Sequence, residues 1–67
     1  MWTLYGTVAH SHGTVYSIWT RPDEQTGSTW TVTKGERPHK TAGAWVMLGE
    51  LLKWKGLNSK DVVRAAD

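Results

Sequence analysis

The side chains with the means to do chemistry are few, and they fall in loops. His10 and His12 stand two apart around Ser11, and His39 lies in a separate charged stretch. Three imidazoles could begin a transition-metal site, but no carboxylate or cysteine stands at ligand spacing from them, so the pattern predicts solvated turn histidines and no metal. Ser11 beside a histidine is half of a nucleophilic pair, with no identifiable acid to orient the imidazole. Asp23 and Glu24 share one charged turn while Glu36, Glu50 and Asp61 are scattered, which does not favour paired-carboxylate catalysis. No glycine-rich loop runs from a strand into a helix with a following Lys-Ser/Thr, so a phosphate cradle is not expected either. Taken together these sets predict a protein that is not an enzyme and carries no cofactor.

The residue types point instead to binding. Lys34-Gly35-Glu36-Arg37-Pro38-His39-Lys40 is the densest basic segment, with only Glu36 opposing it, and Arg21 opens another charged turn. Tyr5, Tyr16 and Ile18 fall, with a row of threonines, on what strand alternation predicts to be the outer face of a sheet. The candidate surface is therefore Tyr5, Tyr16, Ile18, Arg21, Lys34, Arg37, His39 and Lys40. Aromatic rings there would anchor a protein or stack on bases, and the cations would meet phosphates. The same residues also suit an ordinary solvated strand face and a soluble loop.

Three strands are predicted to position these groups. Residues 2–9 and 14–20 are rich in β-branched and aromatic types, separated by a loop in which Gly13 supplies a positive φ. Pairing Ala9 with Thr14 sets Val8 across from Val15, Gly6 from Ser17 and Leu4 from Trp19, with Trp2 on that same, core-facing side. The opposite side then carries Tyr5 with Ile18 and Thr7 with Tyr16. Pro22 is expected to end the second strand, in the turn before Gly27. In residues 28–33 the alternation is strict, with Trp30 and Val32 on one face and three threonines on the other.

From Ala42 to Lys55 the period becomes helical. Thr41 is placed as N-cap, Trp45, Leu48 and Leu52 form an apolar stripe widened by Ala44, Met47 and Leu51, and Gly56 is the stop. Gly49 lies on the stripe side and is expected to let the helix approach the sheet near Gly6. Trp54 is placed by preference at the core edge, with a partly exposed interface anchor as the alternative, beneath a second, short helix that is capped by Asn58 and runs to about Ala66, with Leu57 and Val62 as a hydrophobic staple. The predicted fold class is α+β: a three-stranded antiparallel meander packed on one face by a C-terminal helix, with a short terminal helix, as a single domain over residues 1–67.

At 67 residues the chain buries only about 60% of the surface that it exposes unfolded. It has no cysteine to staple it, and five tryptophans to fill its core. An exposed edge strand at residues 28–33 offers a homodimer as a further source of buried area. The formal charge is +2, which permits nucleic acid or an acidic protein without demanding either. No basic leader with an apolar run, and no run of about 18 apolar residues, is present, so a cytoplasmic protein without membrane partners is expected.

A three-stranded sheet backed by a C-terminal helix is similar in outline to the AP2-like DNA-binding modules at the N-termini of some phage-type integrases. The likeness rests on Gly13-Thr14-Val15-Tyr16, on Trp30-Thr31-Val32, and on a basic loop before Ala44-Trp45. It implies DNA binding through the exposed sheet. The chain's size and lack of a cofactor motif fit a small accessory protein of the kind phage genomes encode. The leading expectation is a regulator that binds a larger protein partner, and the alternative is a nucleic-acid binder using the sheet face and the Lys34–Lys40 loop.

Overall fold

The computed structural model describes residues 1–23, 27–40, 42–43 and 46–65. Among these, four strands and one α-helix form an antiparallel α+β unit: β1 (Thr3–Ala9), β2 (Val15–Asp23), β3 (Gly27–Thr33), α1 (Leu48–Trp54) and β4 (Val62–Arg64), the last entered through one 3-10 turn at Ser59–Asp61. The sheet order is β3-β2-β1-β4. The expected three-strand, two-helix plan is thus corrected to four strands and one helix.

The β1–β2 hairpin closes as its sequence predicts, with His10 N–H donating to Thr14 O at 2.8 Å and Gly13 at φ +100°. Its register follows the predicted one only at the open end, where Leu4 faces Trp19 and Thr3 faces Thr20. A β-bulge at Tyr5 then moves the pairing by one, so that Gly6 faces Ile18, Val8 faces Tyr16 and Ala9 faces Val15. An extra residue in one strand puts two successive side chains on one side and inverts the alternation beyond it.

That inversion decides where the core lies. Val8, Ile18, Leu52 and Leu57 form a buried cluster on the helix side, with Tyr5, Tyr16, Trp30, Val32, Leu48 and Val62 packed around it. Tyr5 meets Trp30 edge to face at 5.0 Å, a favoured arrangement of ring quadrupoles. The predicted core face, with Trp2 and Trp19, is the opposite one. The alternation read in β3 holds: Trp30 and Val32 lie with the helix, and the threonines lie on the far side, where Thr29 is fully buried.

Pro22 does not end β2 but sits inside it, paired with Ser28. β2 runs past the last β1 pair at Thr20, so Pro22 has a strand neighbour on one side only, where a missing donor is tolerated. The helix begins at Leu48, not at Ala42, because Gly43 holds φ +132° and Met47 is extended. Thr41, Ala44 and Trp45 lie outside the described residues.

The helix ends as predicted. Gly56, at φ +72°, donates to Lys53 O, and Leu57 N–H donates to Leu52 O at 2.8 Å. This is a Schellman stop in which the side chains of Leu52 and Leu57 also meet in the core. Asn58 Oδ1 accepts from Lys60 N–H at 2.9 Å, so the cap is formed, but a single 3-10 turn follows it in place of a helix. The β-branched pair Val62-Val63 then extends along β1 as β4, with Val62 opposite Val8.

Gly6 is what admits β4. A Cβ there would collide with the Val63 carbonyl oxygen and stand 2.9 Å from Arg64 Cα. Gly49, expected to approach Gly6, is exposed with nothing nearby. Gly6→Ala should therefore detach β4 and lower stability by about 1–3 kcal/mol, read as a fall in the urea midpoint, whereas Gly49→Ala should stabilise the helix by up to about 1 kcal/mol.

Candidate functional site

The candidate residues divide between the two faces of the sheet. Ile18 has no exposed surface, and Tyr5 and Tyr16 are half-buried against the helix-side core. These three do not form an open face, which corrects their placement on a binding surface. They share one face as expected, but that face is the one on which the helix and the Leu57 turn pack.

Arg21, Lys34, Arg37, His39 and Lys40 are brought together on the other side. There residues 34–40 and 42–43 lie over Trp2 and Trp19. Pro38, within this segment, is buried, and Trp2 and Trp19 are only 5% and 8% exposed. Gly43 comes so close that a Cβ would collide with Thr29 Cγ2.

Both arginines act as clamps. Arg21 lies 4.9 Å from the Trp2 ring centroid and donates to Lys40 O at 3.0 Å. Arg37 lies 5.3 Å from the Trp19 ring and donates to Trp2 O at 2.9 Å. Each guanidinium thus combines a cation–π contact with a hydrogen bond to backbone. The indoles are bound in as well: Trp2 Nε1–H donates to His39 O at 3.0 Å and Trp19 Nε1–H to Thr33 Oγ1 at 2.9 Å. Thr33 in turn donates to Glu36 O at 2.7 Å. Lys34, His39 and Lys40 are exposed along the same segment.

The segment covers only one end of this face. Toward the hairpin, alternation brings Leu4, Thr7, Ala9, Val15, Ser17 and Val63 to the same side on three adjacent strands, joined by the pairs Ala9–Val15, Thr7–Ser17 and Thr7–Val63. Leu4 is 40% exposed, Val15 56% and Val63 67%. Residue-by-residue reading missed this patch, because Val63 was assigned to a helix and Val15 to the core.

Trp54 is not at the core edge. It is 64% exposed at the end of α1, and Met47, just before the start of α1, is 80% exposed. Lys53 and Lys55 flank Trp54 and are exposed.

The histidine pair sits at the hairpin tip. The His10 and His12 rings stack at 3.7 Å, His12 N–H donates to His10 Nδ1 at 3.2 Å, and Thr14 N–H donates to His12 Nδ1 at 3.3 Å. With Nδ1 accepting a backbone proton, each neutral ring carries its own proton on Nε2. Ser11 Oγ is 3.4 Å from His10 Nδ1, a nitrogen already occupied and poorly placed to act as its base. An open cavity of about 580 Å³ adjoins the tip, lined by Ala9, His10, Ser11, Leu57, Asn58 and Asp61 among others. Among the described residues no three His, Cys, Asp or Glu side chains stand close enough to share a metal ion, and no helix is long and apolar enough to cross a membrane.

Compared with protein-family models, with curated proteins and with solved structures, the chain matches none.

The clamp assigns different weights to its cations. Thr33→Val, which strands the Trp19 indole N–H, and Arg37→Ala should each cost about 1–2 kcal/mol. Lys34→Ala and Lys40→Ala should stay within about 0.5 kcal/mol of the parent in the same denaturation assay.

Proposed function

We propose that the chain is a non-enzymatic binding module, an accessory or regulatory protein that acts by docking on a larger protein partner, with Trp54 as its anchor. The supporting observation is the position of that one side chain. In a chain of 67 residues, where apolar area for a core is scarce, a tryptophan is left 64% exposed at one end of the helix, with Met47 80% exposed at the other. Tryptophan is the residue type most enriched at the energetic centres of interfaces, and methionine adapts to irregular pockets. Lys53 and Lys55 beside it fit a partner pocket rimmed by carboxylates.

A second reading, binding to nucleic acid, is favoured by Lys34, Arg37, His39 and Lys40 on one segment, with Arg21 of β2 bonded to it. The rings that would stack on bases, Tyr5 and Tyr16, are turned toward the core, and two of the cations are engaged with tryptophan. The protein-binding reading therefore carries more of the geometry.

Affinity capture from the source cells, with the parent chain and Trp54→Ala side by side, separates the two. The variant should unfold within about 0.5 kcal/mol of the parent, yet retain less than about a tenth of the captured partner, the loss of an anchor worth 1.4 kcal/mol or more. Capture that is unchanged in Trp54→Ala would discard Trp54 as the anchor. Binding to duplex or single-stranded nucleic acid that falls steeply with salt and is weakened in Lys34→Ala/Lys40→Ala would establish the second reading instead.

A further inference from the structure

The uncovered end of the sheet is a separate surface from Trp54, and its chemistry selects a different occupant. Leu4, Thr7, Ala9, Val15, Ser17 and Val63 include no charged residue. The remaining candidate surfaces are basic: Lys34, Arg37 and Lys40 along the segment over Trp2 and Trp19, and Lys53 and Lys55 beside Trp54. In a chain of formal charge +2, apposing either basic surface with its own copy would set like charges together. The neutral sheet end carries no such penalty.

The surface area points the same way. A compact monomer of 7.5 kDa exposes about 4,250 Å², whereas this chain exposes 4770 Å². The excess is about 500 Å² per chain, or about 1,000 Å² for a pair, which reaches the lower bound of a specific interface. On this face Val15 and Val63 are 56% and 67% exposed, on β2 and β4, the two strands that flank β1.

We propose that this face is the interface of a homodimer, in which two copies pack their β4-β1-β2 surfaces against one another about a two-fold axis. Leu4, Val15 and Val63 of one copy interdigitate with the same residues of the other, the two sheets stacking at the ordinary distance of about 10 Å. The pairing leaves Trp54, on the helix side of the sheet, outside the interface, with the basic segment bordering it on the same face, and does not rest on the docking role of Trp54.

Sedimentation equilibrium of the full chain tests this, at physiological salt and across about 1 to 200 µM, the range in which an interface of this size dissociates. The expected result is a concentration-dependent rise from 7.5 kDa toward twice that mass. Val15→Lys/Val63→Lys should abolish the rise. Val15→Thr/Val63→Thr, which keeps β-branched residues in both strands, should weaken it about tenfold or more, with the circular dichroism of the parent retained. Trp54→Ala should dimerise as the parent does. A 7.5 kDa species at every concentration overturns the proposal, and so does a dimer whose dissociation is the same in the folded Thr variant, which would place the contact elsewhere, as along the β3 edge.

Discussion

The structure depends on a single extra residue in β1. Without the bulge at Tyr5, Val8 would face Val15 and share the side of Trp19. With it, Val8 crosses to the side of Ile18, and both become fully buried under Leu52 and Leu57. Tyr5 lies on the same side, as it would in an unbroken strand, and there its ring meets Trp30 and lies 5.0 Å from the Arg64 guanidinium. The Tyr5 carbonyl accepts from Ala65 N–H at 2.9 Å, so the irregularity in β1 is also the point where the last strand is tied down. Gly6 completes the device, since only a residue without a side chain fits beneath the β4 backbone.

A sheet this small gains by using both faces. One is closed by a seven-residue helix and the Leu57 turn. The other is closed at one end by an irregular segment pinned to Trp2 and Trp19 through two guanidinium clamps. An irregular cover has to satisfy its own backbone groups, and here Arg21, Arg37, Trp2 and Thr33 supply donors to the carbonyls of Lys40, Trp2, His39 and Glu36. In the most basic part of the sequence the Arg37 side chain is therefore structural, while Lys34, His39 and Lys40 are exposed. What remains open, the hairpin end of the sheet and the two ends of the helix at Met47 and Trp54, is where the apolar surface left over from folding is concentrated.

Much of this order was legible in the sequence, and the exceptions have a physical pattern. The strands, the positive φ at Gly13, the Leu4–Trp19 pair, the alternation of β3, the Gly56 stop and the Asn58 cap follow from local chemistry that a few residues suffice to specify. The bulge does not, because Thr-Leu-Tyr-Gly-Thr-Val reads equally well as an unbroken strand and only the packing of Val8 beneath Leu52 distinguishes the registers. That slip sets Val8 on the side of Trp19, and with the helix expected on the Trp2–Trp19 side, Tyr5, Tyr16 and Ile18 are left on a surface. Val62-Val63 is likewise too short to reveal itself as a strand until the free edge of β1 is there to receive it. Trp54 was misplaced for a related reason: the terminal helix expected to cover it is a strand on the far side of β1.

The account rests on that register, and a nuclear Overhauser spectrum of the folded chain tests it most directly. The bulged register predicts contacts from the Val8 methyls to those of Ile18 and Leu52, and from the Tyr5 ring to the Trp30 indole, within hydrogen–hydrogen reach of a packed core. Cross-strand side-chain contacts between Val8 and Val15, with none from Val8 to Ile18 or Leu52, would mean an unbroken β1, and would contradict the arrangement of both faces.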